Sequence, residues 1–283
     1  MNKPGFFLRT LAVAVVFYST LVSANTLPRH QAIPGGVAII TLNDVNEARP
    51  GVSYLKKKVM VRANDTHWEA IVGIPLSAQP GIHRLKVRNG QDNFHKEFRV
   101  VDKDYKTTHI TISDESKVSL SEEDLQRHYR EKKQITAAIN SWSERDNVDA
   151  SFITPVEGRF SSPFGLKRIY NNQERIRRHT GLDIAAPVGT PIIAPASGTV
   201  IRTGDYFFTG NTVFIDHGQG LITLYCHLDK IDVEENQHIN QSQKLGEVGM
   251  TGRVSGPHLH WAVFLNRFKV DPELFMSQLE KTK

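Results

Sequence analysis

Glycine and proline punctuate the C-terminal half of this chain so densely that long helices are excluded from it. Residues 151–283 hold 13 of the 20 glycines, and Pro155, Pro163, Pro187, Pro191, Pro195 and Pro257 fall among them. Between these breaks lie short apolar runs such as Pro191-Ile192-Ile193-Ala194, Thr212-Val213-Phe214-Ile215 and Leu221-Ile222-Thr223-Leu224-Tyr225. Inside a helix, glycine costs roughly 1 kcal/mol and proline about 3 kcal/mol relative to alanine. Short β-branched and apolar runs bounded by turn residues are instead the pattern of antiparallel strands with tight turns. An antiparallel β domain is predicted here.

Two stretches of this region carry chemistry. Arg178-His179-Thr180-Gly181-Leu182-Asp183-Ile184 sets a histidine and a carboxylate four residues apart, and Gly256-Pro257-His258-Leu259-His260-Trp261 supplies two more imidazoles. Neutral imidazole nitrogens and carboxylate oxygens are the ligands of a divalent ion such as zinc, and a catalytic zinc site uses three of them with one open position. His179, Asp183 and His260 make that set. Taken singly, H-x-x-x-D also suits a surface pair on a helix, and His-Leu-His a half-buried strand with two hydrogen-bonded imidazoles. Gly181 and its turn-rich flanks argue against the helix. In an extended segment residues i and i+2 face one way, so His258 and His260 are expected to share a pocket. His227, in Leu224-Tyr225-Cys226-His227-Leu228, is a further histidine beside them. By the same alternation Cys226 points away from the face of Tyr225 and His227, and reads as a small buried residue rather than a ligand.

The rest of the chain divides into three parts. Lys3 and Arg9 precede a mostly apolar run from Thr10 to Val22 and a Val22-Ser23-Ala24 end, which is the layout of a secretory signal peptide covering residues 1–24. The run is short for a membrane span, so an uncleaved anchor is the second reading. Residues 25–112 contain close-spaced β-prone runs: Val37–Ile40, Val59–Arg62, Trp68–Val72, Ile82–Arg88 and Phe94–Val100. A small immunoglobulin-like sandwich is predicted from them. Asn89-Gly90 marks a hairpin, with a connection longer than two residues expected. His67, His83 and His95 alternate with apolar residues there and read as surface or packing residues. Residues 113–150 are predicted to form a helical connector, one amphipathic helix from Ser119 to Arg145 with Leu125, Tyr129, Ile135, Ile139 and Trp142 as its apolar stripe. Its N-cap is either Ser119 with Glu122 or Ser121 with Asp124. Residues 151–283 are the β domain that holds the site.

The single cysteine excludes an intrachain disulfide. The formal charge of +5 falls to +3 once Lys3 and Arg9 leave with the leader, too mild and dispersed for a nucleic-acid partner. Five basic residues are nevertheless close together: Lys167, Arg168, Arg175, Arg177 and Arg178, with Glu174 the one acid among them. Either a solvated loop or a positive rim that attracts an acidic substrate fits this cluster.

The C-terminal region resembles the lysostaphin-like zinc metallopeptidases of family M23. The resemblance spans about 155 to 275 and is carried by Phe160-Ser161-Ser162-Pro163-Phe164-Gly165, His179 to Asp183, Ala186-Pro187-Val188-Gly189-Thr190-Pro191, Ala194-Pro195 with Gly198-Thr199-Val200, Tyr225-Cys226-His227-Leu228 and Gly256-Pro257-His258-Leu259-His260. It implies two antiparallel sheets with one zinc ion in a groove between loops, held by His179, Asp183 and His260. It implies hydrolysis of peptide cross-links of bacterial peptidoglycan by a zinc-activated water, with His227 and His258 dividing proton transfer and oxyanion stabilisation. Tyr225, Arg177 and Arg178 are the substrate-binding candidates, stem peptides of peptidoglycan the partner, and the periplasm of a Gram-negative bacterium the location. A membrane partner enters only through an uncleaved leader. The first part resembles the N-terminal module of some Gram-negative members, including Gly73-Ile74-Pro75-Leu76.

The chain departs from that pattern in two places. Asn236 and Ser242 stand at turn positions where the family usually has glycine, and Ala262 stands where many relatives have an acid. An acidic partner for the ligands is therefore missing or supplied from elsewhere. Ala262 also sets aside the H-x-H-x-D run of a metallo-β-lactamase, and the lack of H-E-x-x-H a thermolysin-like site. The alternative function is a non-catalytic, wall-binding activator of other peptidoglycan hydrolases; the intact set of five residues argues against it.

Overall fold

The computed structural model describes residues 27–110, 121–146, 148–170 and 176–276. The leader, Ser119 and Arg175 lie outside these. Strands β1 (Val37–Asp44), β2 (Gly51–Tyr54), β3 (Lys57–Lys58), β4 (Met60–Ala63), β5 (His67–Gly73), β6 (Gly81–Asn89) and β7 (Asp92–Val100) build two antiparallel sheets, ordered β1-β5-β4 and β3-β2-β6-β7. Their inner faces bury Ala38, Tyr54, Val61, Ile74, Leu85 and Phe98 among others, each large apolar side chain contributing roughly 1.5–3 kcal/mol on leaving water. The sandwich is thus present. Its β6–β7 hairpin corrects the expected long connection: Asn89 pairs with Asp92, leaving a two-residue turn in which Gly90 takes φ 59°.

Strand β8 (Thr107–Ile110) leaves the sandwich and runs parallel to β10 (Lys167–Tyr170), which follows β9 (Arg159–Ser162) and pairs with β11 (Ile176–Arg178). Between them in sequence, helix α1 spans Glu122–Ile139, and the Ser121 hydroxyl accepts from the Asp124 amide at 3.1 Å. The helix is shorter than the predicted 119–145, because Asn140-Ser141-Trp142-Ser143 is a run of weak helix formers. Tyr129 also departs from the predicted stripe, being 56% exposed. The buried contact is made by Ala138 with Ile135 and Ile139. Among the described residues no helix is long and apolar enough to cross a membrane.

The remaining strands are β12 (Leu182–Ala185), β13 (Pro191–Ile193), β14 (Gly198–Tyr206), β15 (Gly210–Gly218), β16 (Leu221–Ile231), β17 (His238–Ile239), β18 (Lys244–Val248), β19 (His258–Leu265) and β20 (Phe268–Val270). They form one antiparallel sheet ordered β17-β14-β15-β16-β19-β12-β9, with β18 bridging β13 and β16 and β20 beside β19. Alternation along β19 divides its side chains. Leu259, Trp261, Val263 and Leu265 enter the main core, whereas Ala262 and Phe264 lie under α1 with Phe214, Leu224 and Cys226. His258 and His260 continue that second face beyond the helix, so one sheet face carries both the connector and the histidines.

The sandwich is fixed to this sheet. Val37, Met60 and Ile71 belong to the main core, and the buried Asn266 amide pairs with both backbone groups of Gly73, at 2.6 and 3.0 Å. Asn266 and Arg267 form the two-residue β19–β20 turn with φ 41° and 69°.

Candidate metal centre

Strand register brings the ligand candidates together. Asp183 on β12 lies directly opposite His260 on β19, and His179 arrives from the turn before β12, its amide bonded to the Leu166 carbonyl at 2.9 Å. Nε2 of His179 is 3.0 Å from Oδ1 of Asp183 and 3.1 Å from Nδ1 of His260, which is itself 2.7 Å from the same Oδ1. Among the described residues these three form the group able to hold a metal ion. The edge of a tetrahedron around zinc with bonds of about 2.0–2.1 Å is about 3.3 Å. The donor atoms therefore fit such an ion closely.

The protonation states suit ligation as well. Nδ1–H of His179 donates to the Pro163 carbonyl at 2.9 Å, which leaves the Nε2 lone pair for the centre. Burial works against the Asp183 charge, but the His179 and His260 side chains packed against it outweigh burial and hold this carboxyl well below the usual range. Burial pushes His260 down, toward its neutral form. Oδ2 of Asp183 accepts from Arg168 at 3.3 Å, and the same guanidinium donates to Ser162 Oγ at 2.7 Å.

His227 reaches the site by a different route from the one predicted. Opposite Asn211–Val213, strand β16 carries one extra residue between Tyr225 and Leu228, and His227 takes φ 68° at this bulge. A bulge re-aims side chains. The His227 ring ends 4.9 Å from that of His258 and 6.1 Å from that of His260. Nδ1–H of His227 donates to the Thr251 carbonyl at 3.0 Å, and Nδ1–H of His258 to Gly256 at 2.9 Å, so each presents Nε2 as an acceptor. Burial lowers His227 to about 4. The orienting partners of His179, His227 and His258 are thus backbone carbonyls. The acid missing at Ala262 is not needed for them.

The bulge corrects two expectations. Cys226 does point away from Tyr225, but it lies opposite His260 and shares the face to which the bulge turns His227, so it does not point away from the site. It is still no member of the ligand group, and burial pushes its thiol up to about 12. Tyr225 faces the opposite side, fully buried in the main core with its hydroxyl 2.9 Å from that of Thr223. It cannot touch substrate there, so the substrate-binding expectation for Tyr225 fails on strand alternation. The basic cluster divides in the same way. Lys167 and Arg178 are paired in register, Lys167 bridging to Asp104 at 2.7 Å and Arg178 lying over the Tyr105 ring at 5.7 Å. Arg168 and Arg177 form the neighbouring pair; Arg168 turns to Asp183, and Arg177 is exposed beside it.

Sequence reasoning missed the contact of Arg168 with the carboxylate and that of half-buried Lys269, whose Nζ donates to Thr180 Oγ1 at 2.8 Å. No local signal marks Lys269. At Asn236 and Ser242, by contrast, φ is 70° and 68°, so both turns keep the left-handed backbone that glycine usually supplies.

Fold and site together define an antiparallel β domain with a two-histidine, one-aspartate group able to hold a metal ion. Residues 177–272 match peptidase family M23, and residues 30–103 match the M23 N-terminal domain. The crystal structure of a candidate M23 peptidase from Pseudomonas aeruginosa is 42% identical, with a TM-score of 0.72 over 87% of this chain and 95% of that one. The chain belongs to peptidase family M23. It is also similar to the peptidoglycan DD-endopeptidase ShyA of Vibrio cholerae, 40% identical over 107 residues, and to the DD-carboxypeptidase/endopeptidase Mpg of Neisseria meningitidis, 42% identical over 114. Those alignments cover 38% and 40% of this chain but only 25% and 26% of the relatives' length.

Proposed function

We propose that this chain is a zinc-dependent endopeptidase that cuts peptide cross-links of bacterial peptidoglycan in the periplasm, to which the leader directs it. The observation that carries the reading is the convergence of His179 Nε2, Asp183 Oδ1 and His260 Nδ1 within 2.7–3.1 Å, next to two imidazoles locked by carbonyls. When bound, zinc polarises the scissile carbonyl and activates the attacking water. His227 and His258 stand beside that point with Nε2 unprotonated: one takes the proton of the nucleophile and passes it to the leaving amine, and the other, having taken a proton from solvent, donates Nε2–H to the developing oxyanion. Arg168 holds Asp183 in its ligating rotamer. Arg177 faces the same side and suits the carboxylates of stem peptides, while Arg178 is turned to Tyr105 and contributes charge to the rim rather than a contact. Peptidoglycan as substrate is supported by the names of the similar relatives from Vibrio and Neisseria.

Five alanine variants test the roles. Loss of His179, Asp183 or His260 removes one of three protein ligands, so zinc per chain and hydrolysis fall together. Loss of His227 or His258 leaves zinc bound and lowers turnover by about 10²- to 10⁴-fold. Elemental analysis beside a muropeptide-release assay separates the two groups; a His258→Ala variant that loses zinc while His260→Ala keeps it reverses the assignment.

A further inference from the structure

The connector helix reaches the histidine side of the sheet through one buried carboxylate. Glu131 is only 9% exposed; its Oε2 accepts from the Phe207 amide at 2.9 Å, and its Oε1 from Arg127 Nε at 2.5 Å. Arg127 also reaches the Asp205 carboxylate at 3.1 Å, and the His128 ring meets the Phe208 ring edge-on at 5.0 Å. Three successive contacts therefore fasten α1 to the tip of the β14–β15 hairpin, whose strands close at the Tyr206–Gly210 pair.

The other side of that tip holds the bulge. The Thr209 carbonyl accepts from the His227 amide at 2.8 Å, and the Phe208 carbonyl from the Arg253 amide at 3.1 Å. Thr251, whose carbonyl fixes the His227 ring, donates its hydroxyl to the Leu228 carbonyl at 2.8 Å and accepts from the Asn211 amide at 3.0 Å. The left-handed backbone of His227 disrupts its own ladder, so a non-glycine residue persists there only where surrounding contacts over-determine it. The Thr209 carbonyl supplies one of those contacts, and the tip that bears it rests on Glu131.

We infer that α1 is the positioning element of His227, with Glu131 as the positioning residue acting through the Phe207–Thr209 tip. The helix lies outside both matched family segments, 30–103 and 177–272. It therefore adds to the peptidase domain a support that this domain does not carry in its own strands. The inference rests on the reading of His227 as a proton-transfer or oxyanion group.

The full-length, zinc-loaded protein carrying Glu131→Ala tests it, beside Glu131→Gln, whose amide oxygen still accepts from Phe207. Loss of a hydrogen bond to a buried charged acceptor is expected to speed amide exchange at His227 roughly tenfold or more, with exchange at Tyr225 in mid-strand unchanged. Turnover of Glu131→Ala falls about 10- to 100-fold at constant KM and constant zinc per chain, and Glu131→Gln stays near wild type. Unchanged exchange at His227, or equal damage from Gln and Ala, or loss of zinc along with turnover, overturns the inference. His128→Ala, which frees the same tip from the same helix by a smaller cut, gives the same readouts should Glu131→Ala fold poorly. If wild-type protein shows no hydrolysis, the peptidase reading fails, while the exchange measurement still decides the coupling.

Discussion

Gly181→Ala is the smallest change that should disable the centre without replacing any of His179, Asp183 and His260. A Cβ at this position would lie 2.6 Å from Cε1 and 2.7 Å from Nε2 of His260, and 2.7 Å from the Trp261 carbonyl oxygen. Ordinary contact begins near 3.4 Å, so the imidazole, whose Cε1 is the nearest atom, must retreat by about 0.8 Å. It has little room to do so, because its Nδ1 is held 2.7 Å from Asp183 and the Trp261 oxygen belongs to a central strand. Over-packing of this kind costs about 1–3 kcal/mol of stability. A ligand displaced beyond the roughly 0.5 Å tolerance of a built site also loses affinity, for which about 10- to 100-fold weaker zinc binding is expected. The assay is competition for zinc against a chromophoric chelator, on protein whose thermal unfolding is measured in parallel. Gly256→Ala serves as the control, since a Cβ there meets nothing within 4 Å. Zinc affinity within about twofold of wild type in Gly181→Ala, with an unchanged melting temperature, would falsify the steric argument.

Three further outcomes follow from the structure. Asn266→Ala leaves both backbone groups of Gly73 without their buried partners and places a less tolerant residue at φ 41°, so chemical denaturation should show a loss of about 2–4 kcal/mol; a change below about 0.5 kcal/mol contradicts the anchoring role. Burial holds His217 at about 4 against an unfolded value near 6.5; between these pH values the unfolded chain binds the extra proton, so stability falls as pH drops through that window, by up to about 3 kcal/mol. His217→Gln, which cannot charge, should reduce the slope of urea midpoint against pH from 7.5 to 4 without abolishing it, since buried His227 titrates over the same window, and an unaltered slope would assign the effect elsewhere. Arg177→Ser should weaken substrate capture mainly at low ionic strength, where screening is least, with Arg178→Ser weaker in effect; equal losses at low and high salt remove the electrostatic explanation.

Ligand chemistry was legible in the residues themselves. Only a few side chains bind a borderline metal, so His179, Asp183, His258 and His260 stood out by type and spacing, and the family resemblance nominated His179, Asp183 and His260, the three that the fold brings together. The breaks made by glycine and proline likewise determined that this region is built of short strands. Period-two reasoning then held along β19, where the backbone is regular, and placed His258, His260 and Ala262 on one face. It failed along β16. There one inserted residue at His227 turns its ring to the face of Cys226 and His260 instead of that of Tyr225, although Tyr225 and Cys226 themselves still alternate, and the insertion is stabilised by Thr209 and Thr251, 18 residues before and 24 after it. Such a bulge depends on distant partners, so no local pattern announces it. The same holds for the basic cluster, whose members differ not in type but in which face of the β10–β11 pair they occupy, one turned to Asp183 and another to Tyr105. Local composition determined that this region is built of short strands and which residue types could hold a metal; register and long-range backbone bonding decided which of those side chains meet, because a one-residue shift in a strand moves a side chain to the other side of the sheet.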